Sequence, residues 1–226
     1  MITAYKFRNF SNVSDLMRIK DIVLNRQLYC ASWKRMNDIC EGWYRIDSGV
    51  GLVGSRFFSG MRQFAGAKDV INVCSLSRNV CCQTLWAHYA SEHSGVAIEI
   101  ALDDEKRERG QLVCNRVKYR RKFLSFSKSE VESYDSDNSG GDGVRAVARK
   151  ILLTKASCWK TENEIRLLTT EEFYRLSEKE KIKCVYCGAR MLPEMRKTLE
   201  QALPGVSVVD VRSVFPDEFG EPLDVG

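Results

Sequence analysis

Histidine is scarce in this chain of 226 residues: His88 and His93, five apart, are the only two, so an imidazole metal site would need both plus carboxylates. No apolar run approaches the ~18 residues that cross a bilayer, so no membrane partner is expected. The opening MITAYKFRNF lacks the charged-then-apolar layout of a secretory signal. Nine cysteines without such a signal give the expectation of a cytoplasmic location and free thiols rather than a disulfide framework. The glycine-rich stretch SGVGLVGS has no Lys-Ser/Thr after its last glycine and no apolar strand before it, which argues against a P-loop. No internal repeat is visible. The basic residues, 35 against 30 acidic, form no dense stripe with a recognisable nucleic-acid module.

What is present is a globular composition, 44% hydrophobic and 29% charged, with a mild net charge of +5 that tolerates a phosphate-bearing ligand without demanding one. The expected architecture is α+β: a single domain over residues 1–215, with small mixed or antiparallel sheets, flanking helices and a loose tail at 216–226. Strands are expected at 3–8, 27–32, 71–77, 95–102, 116–123 and 159–169. A helix follows the caps Asn12 or Ser14, another carries Phe57, Phe58, Met61 and Phe64, and a third is predicted over 144–159, with Val144, Val147, Ala148, Ile151 and Leu152 on one stripe. Residues 171–181 read as helix or turn, IKCVYCG as a strand, LPEMRKTLEQAL as a helix with Pro193 in its first turn, and VSVVDVRSV as a last strand. The segment SKSEVESYDSDNSGGDG, 127–143, has too few apolar groups to offset the entropy of ordering it and is expected to be a mobile loop or lid.

Three patterns carry chemistry. In WKTENEIRLLT, strand alternation would set Glu162, Glu164 and Arg166 on one face: either a self-neutralising wet surface or the floor of a site. Arg8 ends the first strand and Ser32 the second. With the two glutamates they form an ordered set suited to a dinucleotide, since a guanidinium fits diphosphate oxygens and a carboxylate stabilises positive charge developing on a sugar. Cys184 and Cys187 have zinc-knuckle spacing but lack a second pair, so no metal is expected. On LWAHY alone, His88 reads as a packing or hydrogen-bonding residue. The basic run KYRRK at 118–122 reads first as a solvated strand face and second as a nucleic-acid contact.

Several stretches together resemble a bacterial family of unknown function, domain-of-unknown-function family 2971. They are YKFR, MNDICEG, VCSLS, LWAHYASEHSGVAIEI, VKY, Lys155 with WKTENEIR, and CVYCG, spanning roughly residues 4–190 in the family's order. The family usually has Pro-Phe where this chain has Ile39-Cys40, while Asn37, Asp38 and Glu41 match. At fold level the succession Arg, Ser, Glu-x-Glu is similar to the ADP-ribosyltransferase superfamily, in which NAD lies between two small sheets. That resemblance implies an NAD-consuming enzyme, transferring ADP-ribose to a protein or nucleic-acid acceptor or hydrolysing NAD, with a role in toxicity or phage conflict. It implies Glu164 as the catalytic group on the nicotinamide ribose and Glu162 as the residue acting on the acceptor. Arg8 would hold ribose or phosphate and Ser32 would shape the pocket, with Lys6, Asn37, Asp38, His88, Tyr89 and Arg166 around the NAD. The alternatives are a non-catalytic nucleotide-binding or regulatory domain, and a metal-dependent nuclease or hydrolase using Asp38, Glu162, Glu164 and His88.

Overall fold

The first strand is covered on both sides: in ITAYKFR, Phe7 is buried on one face, and on the other Ala4 is buried in line with Lys6 and Arg8. The computed structural model describes residues 1–47, 49, 54–103, 113–134 and 142–215. Along the chain run β1 (Ile2–Arg8), α1 (Val13–Val23), β2 (Gln27–Tyr29), β3 (Ala31–Ser32), β4 (Tyr44–Asp47), α2 (Ser55–Asp69) and β5 (Asn72–Ser77). Next come α3 (Gln83–Tyr89), β6 (Val96–Leu102), β7 (Val113–Arg116), β8 (Lys118–Arg120), β9 (Leu124–Ser127), α4 (Lys128–Ser133) and α5 (Asp142–Leu152). The last are β10 (Thr154–Ala156), β11 (Glu164–Thr169), β12 (Phe173–Arg175), β13 (Lys181–Cys187), α6 (Pro193–Ala202) and β14 (Ser207–Asp210). The fold is α+β, and the nine cysteines are free thiols. No helix among the described residues is long and apolar enough to cross a membrane.

The chain packs as two units: Met1–Gln27, Ser77–Asp103 and Leu176–Gly226 form the first, Leu28–Leu76 and Asp104–Arg175 the second. In the first, strands lie in the order β14-β13-β6-β1, with β13 and β14 parallel and the other neighbours antiparallel. The register pairs Ile2 with Leu102 and Arg8 with Val96. Phe7 and Trp86 pack edge to face, 5.2 Å between centroids, at the heart of a core with Leu85, Ala97, Tyr186 and Val211. Asn12 caps α1 by accepting the Asp15 N–H at 3.0 Å, as its residue type predicts.

In the second unit, β11 lies between β5 and β7, and β3 adds to β5. Two parallel pairs, β10 with β8 and β4 with β9, form separate two-stranded sheets. Phe57 and Phe64 of α2 pack with Val131, Val144, Val147 and Ile151 of α4 and α5.

Four sequence expectations change. The helix over 144–159 ends at Leu152, because Thr154–Ala156 pairs with β8 and the next six residues, Ser157–Glu162, coil as a 3-10 turn. The basic strand breaks at buried Val117 and ends at Arg120. Phe173–Arg175, expected as helix or turn, is a strand paired with β2. Residues 128–133 form a helix, not a loop: the Ser127 hydroxyl accepts the Glu130 N–H at 3.2 Å, and the Glu130 carboxylate accepts the Ser127 N–H at 2.7 Å, a reciprocal cap. Residues 142–143 of the expected loop open α5, while 135–141 and the tail at 216–226 lie outside the described residues.

Two glycines fix close approaches in the first unit. A Cβ on Gly95 would meet the Arg8 carbonyl oxygen and the Ala90 backbone, and one on Gly188 would meet the His93 carbonyl oxygen. Gly66, within α2, faces open space instead. Gly95→Ala is therefore expected to lower unfolding free energy by about 1–3 kcal/mol. Gly66→Ala should raise it by about 0.5–1 kcal/mol, since alanine suits a helix interior better. Urea denaturation of the two variants checks both signs.

Candidate functional site

The sequence places its chemistry in two groups, one in each unit. In the first unit, β1 ends at Arg8, α3 ends at Tyr89, and α1 begins beyond Asn12, so three element ends converge. Phe7, Arg8, Asn9, Asp15, Arg18, His88 and Tyr89 line a cleft there. Asp15 accepts the Ser11 N–H at 3.1 Å and pairs with Arg18 at 3.4 Å. His88 is exposed rather than packed, its ring 6.4 Å from that of Tyr89. Lys6, half-buried two residues up β1, is not among the lining side chains.

A turn of unusual backbone supports this cleft. Ser91, Glu92 and His93 all have positive φ (46°, 51° and 73°), a left-handed conformation that costs non-glycine residues energy. Hydrogen bonds hold it: Ser91 N–H donates to Asn9 Oδ1 at 2.9 Å, Phe10 N–H to Ser91 Oγ at 3.1 Å, and Arg190 N–H to the His93 carbonyl at 2.9 Å. Three such residues in a row beside a polar cleft mark a position where strain is maintained by its surroundings.

The second group is a buried ion network. Arg166 on β11 is 0% exposed, with Glu41, Glu162, Glu164 and Lys155 also buried. Its guanidinium pairs with both oxygens of Glu41, the Nη2–Oε2 contact at 2.8 Å, and donates to Glu164 from Nε at 2.7 Å and from Nη2 at 3.1 Å. It also donates to the Leu152 carbonyl that ends α5. Lys155 Nζ pairs with Glu162 and, at 3.2 Å, with Glu164, and sits 4.9 Å from the Trp159 ring centroid. The Glu164 N–H donates to the Tyr119 hydroxyl oxygen at 2.7 Å.

Glu164 and Arg166 do share a strand face, as alternation predicts, but that face is buried rather than wet. Glu162 is not on the strand: it closes the 3-10 turn, and the left-handed Asn163 (φ 45°) re-aims the chain so that β11 starts at Glu164. Burial alone would raise the Glu164 carboxyl, but Arg166 and Lys155 outweigh it and hold it down to about 2. Burial would likewise lower Lys155, yet Glu164 and Glu162 keep it above the ordinary lysine range. Three carboxylates share two cations, and Glu162, where burial prevails over Lys155, holds its proton above the usual carboxylate range. Burial pushes the Tyr119 phenol up to about 12.

The MNDICEG segment now has a physical role. Asp38 accepts the Cys40 N–H at 3.0 Å through its side chain and the Glu41 N–H at 3.0 Å through its carbonyl, forming the turn that presents Glu41 to Arg166. Ile39 is 82% exposed and takes no part in the Glu41 pairing. The Gly42 carbonyl accepts Lys68 Nζ at 2.8 Å, and that ammonium lies 3.8 Å from the Trp33 ring centroid. Asn37 is exposed, and Ser32 pairs in register with Asn72 at the start of a 3-10 turn. Glu41 and Lys155 hold the network together although no role was assigned to either from sequence. Among the described residues no group of three or more His, Cys, Asp or Glu side chains is placed to hold a metal. Two carboxylates of the metal-hydrolase alternative, Glu162 and Glu164, are engaged by Lys155 and Arg166 instead, and Asp38 accepts the Cys40 N–H.

Removing the shared cation leaves Glu41 and Glu164 buried without it. Arg166→Met is expected to destabilise the protein by about 3–5 kcal/mol. Glu41→Gln, which keeps hydrogen-bonding capacity, should cost less. Paired denaturant titrations measure both, and equal small losses would show the network to be energetically idle.

No curated protein and no solved structure was found to match the chain. Residues 85–167, which include Lys155, Trp159, Glu162, Glu164 and Arg166, match the family model described as "Protein of unknown function (DUF2971)". Over that segment the chain is similar to this family, and the matched residues Lys155, Trp159, Glu162, Glu164 and Arg166 come together here in and around one buried ion network.

Proposed function

We propose that this chain binds a phosphate-bearing nucleotide, with NAD the first ligand to test, in the cleft at the end of β1. The observation that carries the reading is the lining: two guanidinium groups, Arg8 and Arg18, with a histidine, a half-buried tyrosine and an asparagine held in place by a strained turn. Guanidinium forks suit phosphate oxygens, Tyr89 offers a ring face to a base, and Asp15 can accept a ribose hydroxyl while it steadies Arg18.

NAD consumption, by ADP-ribosyl transfer or glycohydrolysis, is the second reading. It is favoured by one feature of the other unit: in the pair Glu162 and Glu164, the surroundings push one carboxyl above and the other below the ordinary carboxylate value, the divergence that acid–base work on a glycosidic bond uses. Both groups are buried, so this reading also needs the network around them to open to substrate.

Calorimetric titration with NAD, ADP-ribose and ADP tests the first reading, with nicotinamide release followed in parallel. Binding weakened tenfold or more in Arg8→Gln is expected, roughly the effect of losing one charge-assisted phosphate contact. Release that disappears in Glu162→Gln, with binding retained, would promote the second reading. No binding of any of the three ligands would overturn the first.

A further inference from the structure

The second unit carries a surface that neither the cleft nor the ion network uses. β4 and β9 pair in parallel with Tyr44 opposite Leu124 and Arg45 opposite Ser125. That register sets Trp43 and Phe123, the residues just before each strand, side by side. Alternation then separates two faces: Tyr44, Ile46, Leu124 and Phe126 pack inward against α2, α4 and α5, while Trp43, Arg45, Phe123 and Ser125 face solvent. Trp43 is 53% exposed and Phe123 37%, with ring centroids 6.0 Å apart and planes tilted by 41°. The Arg45 guanidinium lies 5.8 Å from the Phe123 ring centroid. Arg120, Arg121 and Lys122, all exposed, lead directly into Phe123. The acidic group on this face, Asp47, accepts a hydrogen bond from the Ser125 hydroxyl.

Two large rings left in water beside four basic side chains do not fit a plain solvated face, which needs charge but no aromatics. A protein interface also enriches Trp, Phe and Arg, but its core is depleted in charge overall, whereas here a consecutive run of three cations leads into the rings. They match the two requirements of a single-stranded nucleic-acid platform: ring faces on which unpaired bases stack, and cations along the backbone path. We propose that the exposed face of β4 and β9, with the Arg120–Lys122 run, binds single-stranded nucleic acid by stacking bases on Trp43 and Phe123. The polymer can be RNA or DNA, since the rings and cations read no base edge and no 2′-hydroxyl. Duplex, whose bases are already stacked inside the helix, offers these rings nothing.

The test is fluorescence anisotropy of the full-length protein with labelled oligothymidylate and oligouridylate of about 12 nucleotides, and with a duplex of equal length. Binding to one or both single strands, tighter than to duplex and weakening as salt rises, is expected. Trp43→Ala should weaken it by about fivefold or more, the loss of one base stack, while Trp43→Phe should keep most of it. Arg121→Glu should weaken binding and flatten the salt dependence. Far-UV circular dichroism and thermal melts establish that each variant is folded. No binding to either oligonucleotide at low salt would overturn the proposal. So would binding that is equal for duplex and unchanged in folded Trp43→Ala, because it would be charge attraction without a stacking platform.

Discussion

A guanidinium with no access to water must have its charge answered inside the protein, and in the second unit Arg166 organises its surroundings on that condition. Its two carboxylate partners come from different parts of the chain: Glu164 from its own strand, and Glu41 from a turn 125 residues earlier. A further donation reaches the carbonyl that ends α5. One side chain thus ties β11, the Asp38–Glu41 turn and the end of the best amphipathic helix. Lys155 extends the same arrangement through Glu164 to Glu162 and places its ammonium near Trp159. Without the ions, this region would keep its apolar contacts among Ile71, Val73, Ala148, Leu152 and Leu168 but lose what fixes the turn and the short strand β10.

The first unit rests on a constraint of another kind, a backbone conformation rather than a buried charge. The left-handed run Ser91–His93 lies between α3 and β6 and is secured by Asn9, Phe10 and Arg190. Gly95 and Gly188 allow the neighbouring strands to approach. The outcome is that the end of β1, the start of α1 and the end of α3 present their polar side chains to one cleft. The ion network and the cleft are therefore distinct devices: the first consumes its charges internally, while the second leaves Arg18 and His88 exposed to a ligand.

What could be read from sequence was local. Local composition found β1, β6 and β13, and residue chemistry found the Asn12 cap and Pro193 at the head of α6, because each depends on neighbours a few residues away. What could not be read was pairing at a distance. The apolar stripe of α5 gives no sign that the chain leaves the helix after Leu152, since the reason lies in a parallel pairing with Lys118–Arg120 more than thirty residues back. Alternation likewise put Glu162 on a strand face, whereas a left-handed Asn163 takes it off the strand. The three charged residues of the opening pattern look wet on composition alone. Their partners Glu41 and Lys155 make burial tolerable, and only the fold brings those partners in. Arg8, His88 and Tyr89 were named one by one from family-like stretches, and Asp15 and Arg18 join them through helix geometry that the sequence showed without its consequence.

At the centre of the network, Glu164 is an ionised carboxylate held by Arg166 and Lys155. The decisive measurement is the acid titration of its side-chain carboxyl by carbon-13 NMR, assigned by comparison with Glu164→Gln. Because the folded value lies below the ordinary 4.5, the group contributes stability that is complete above that pH and is lost as pH falls toward about 2. The predicted result is a Glu164 carboxyl that stays ionised as long as the protein remains folded, down toward pH 2. A carboxyl that takes up its proton near pH 4.5 or higher in the folded protein would contradict the account, and would show that the two cations do not hold it.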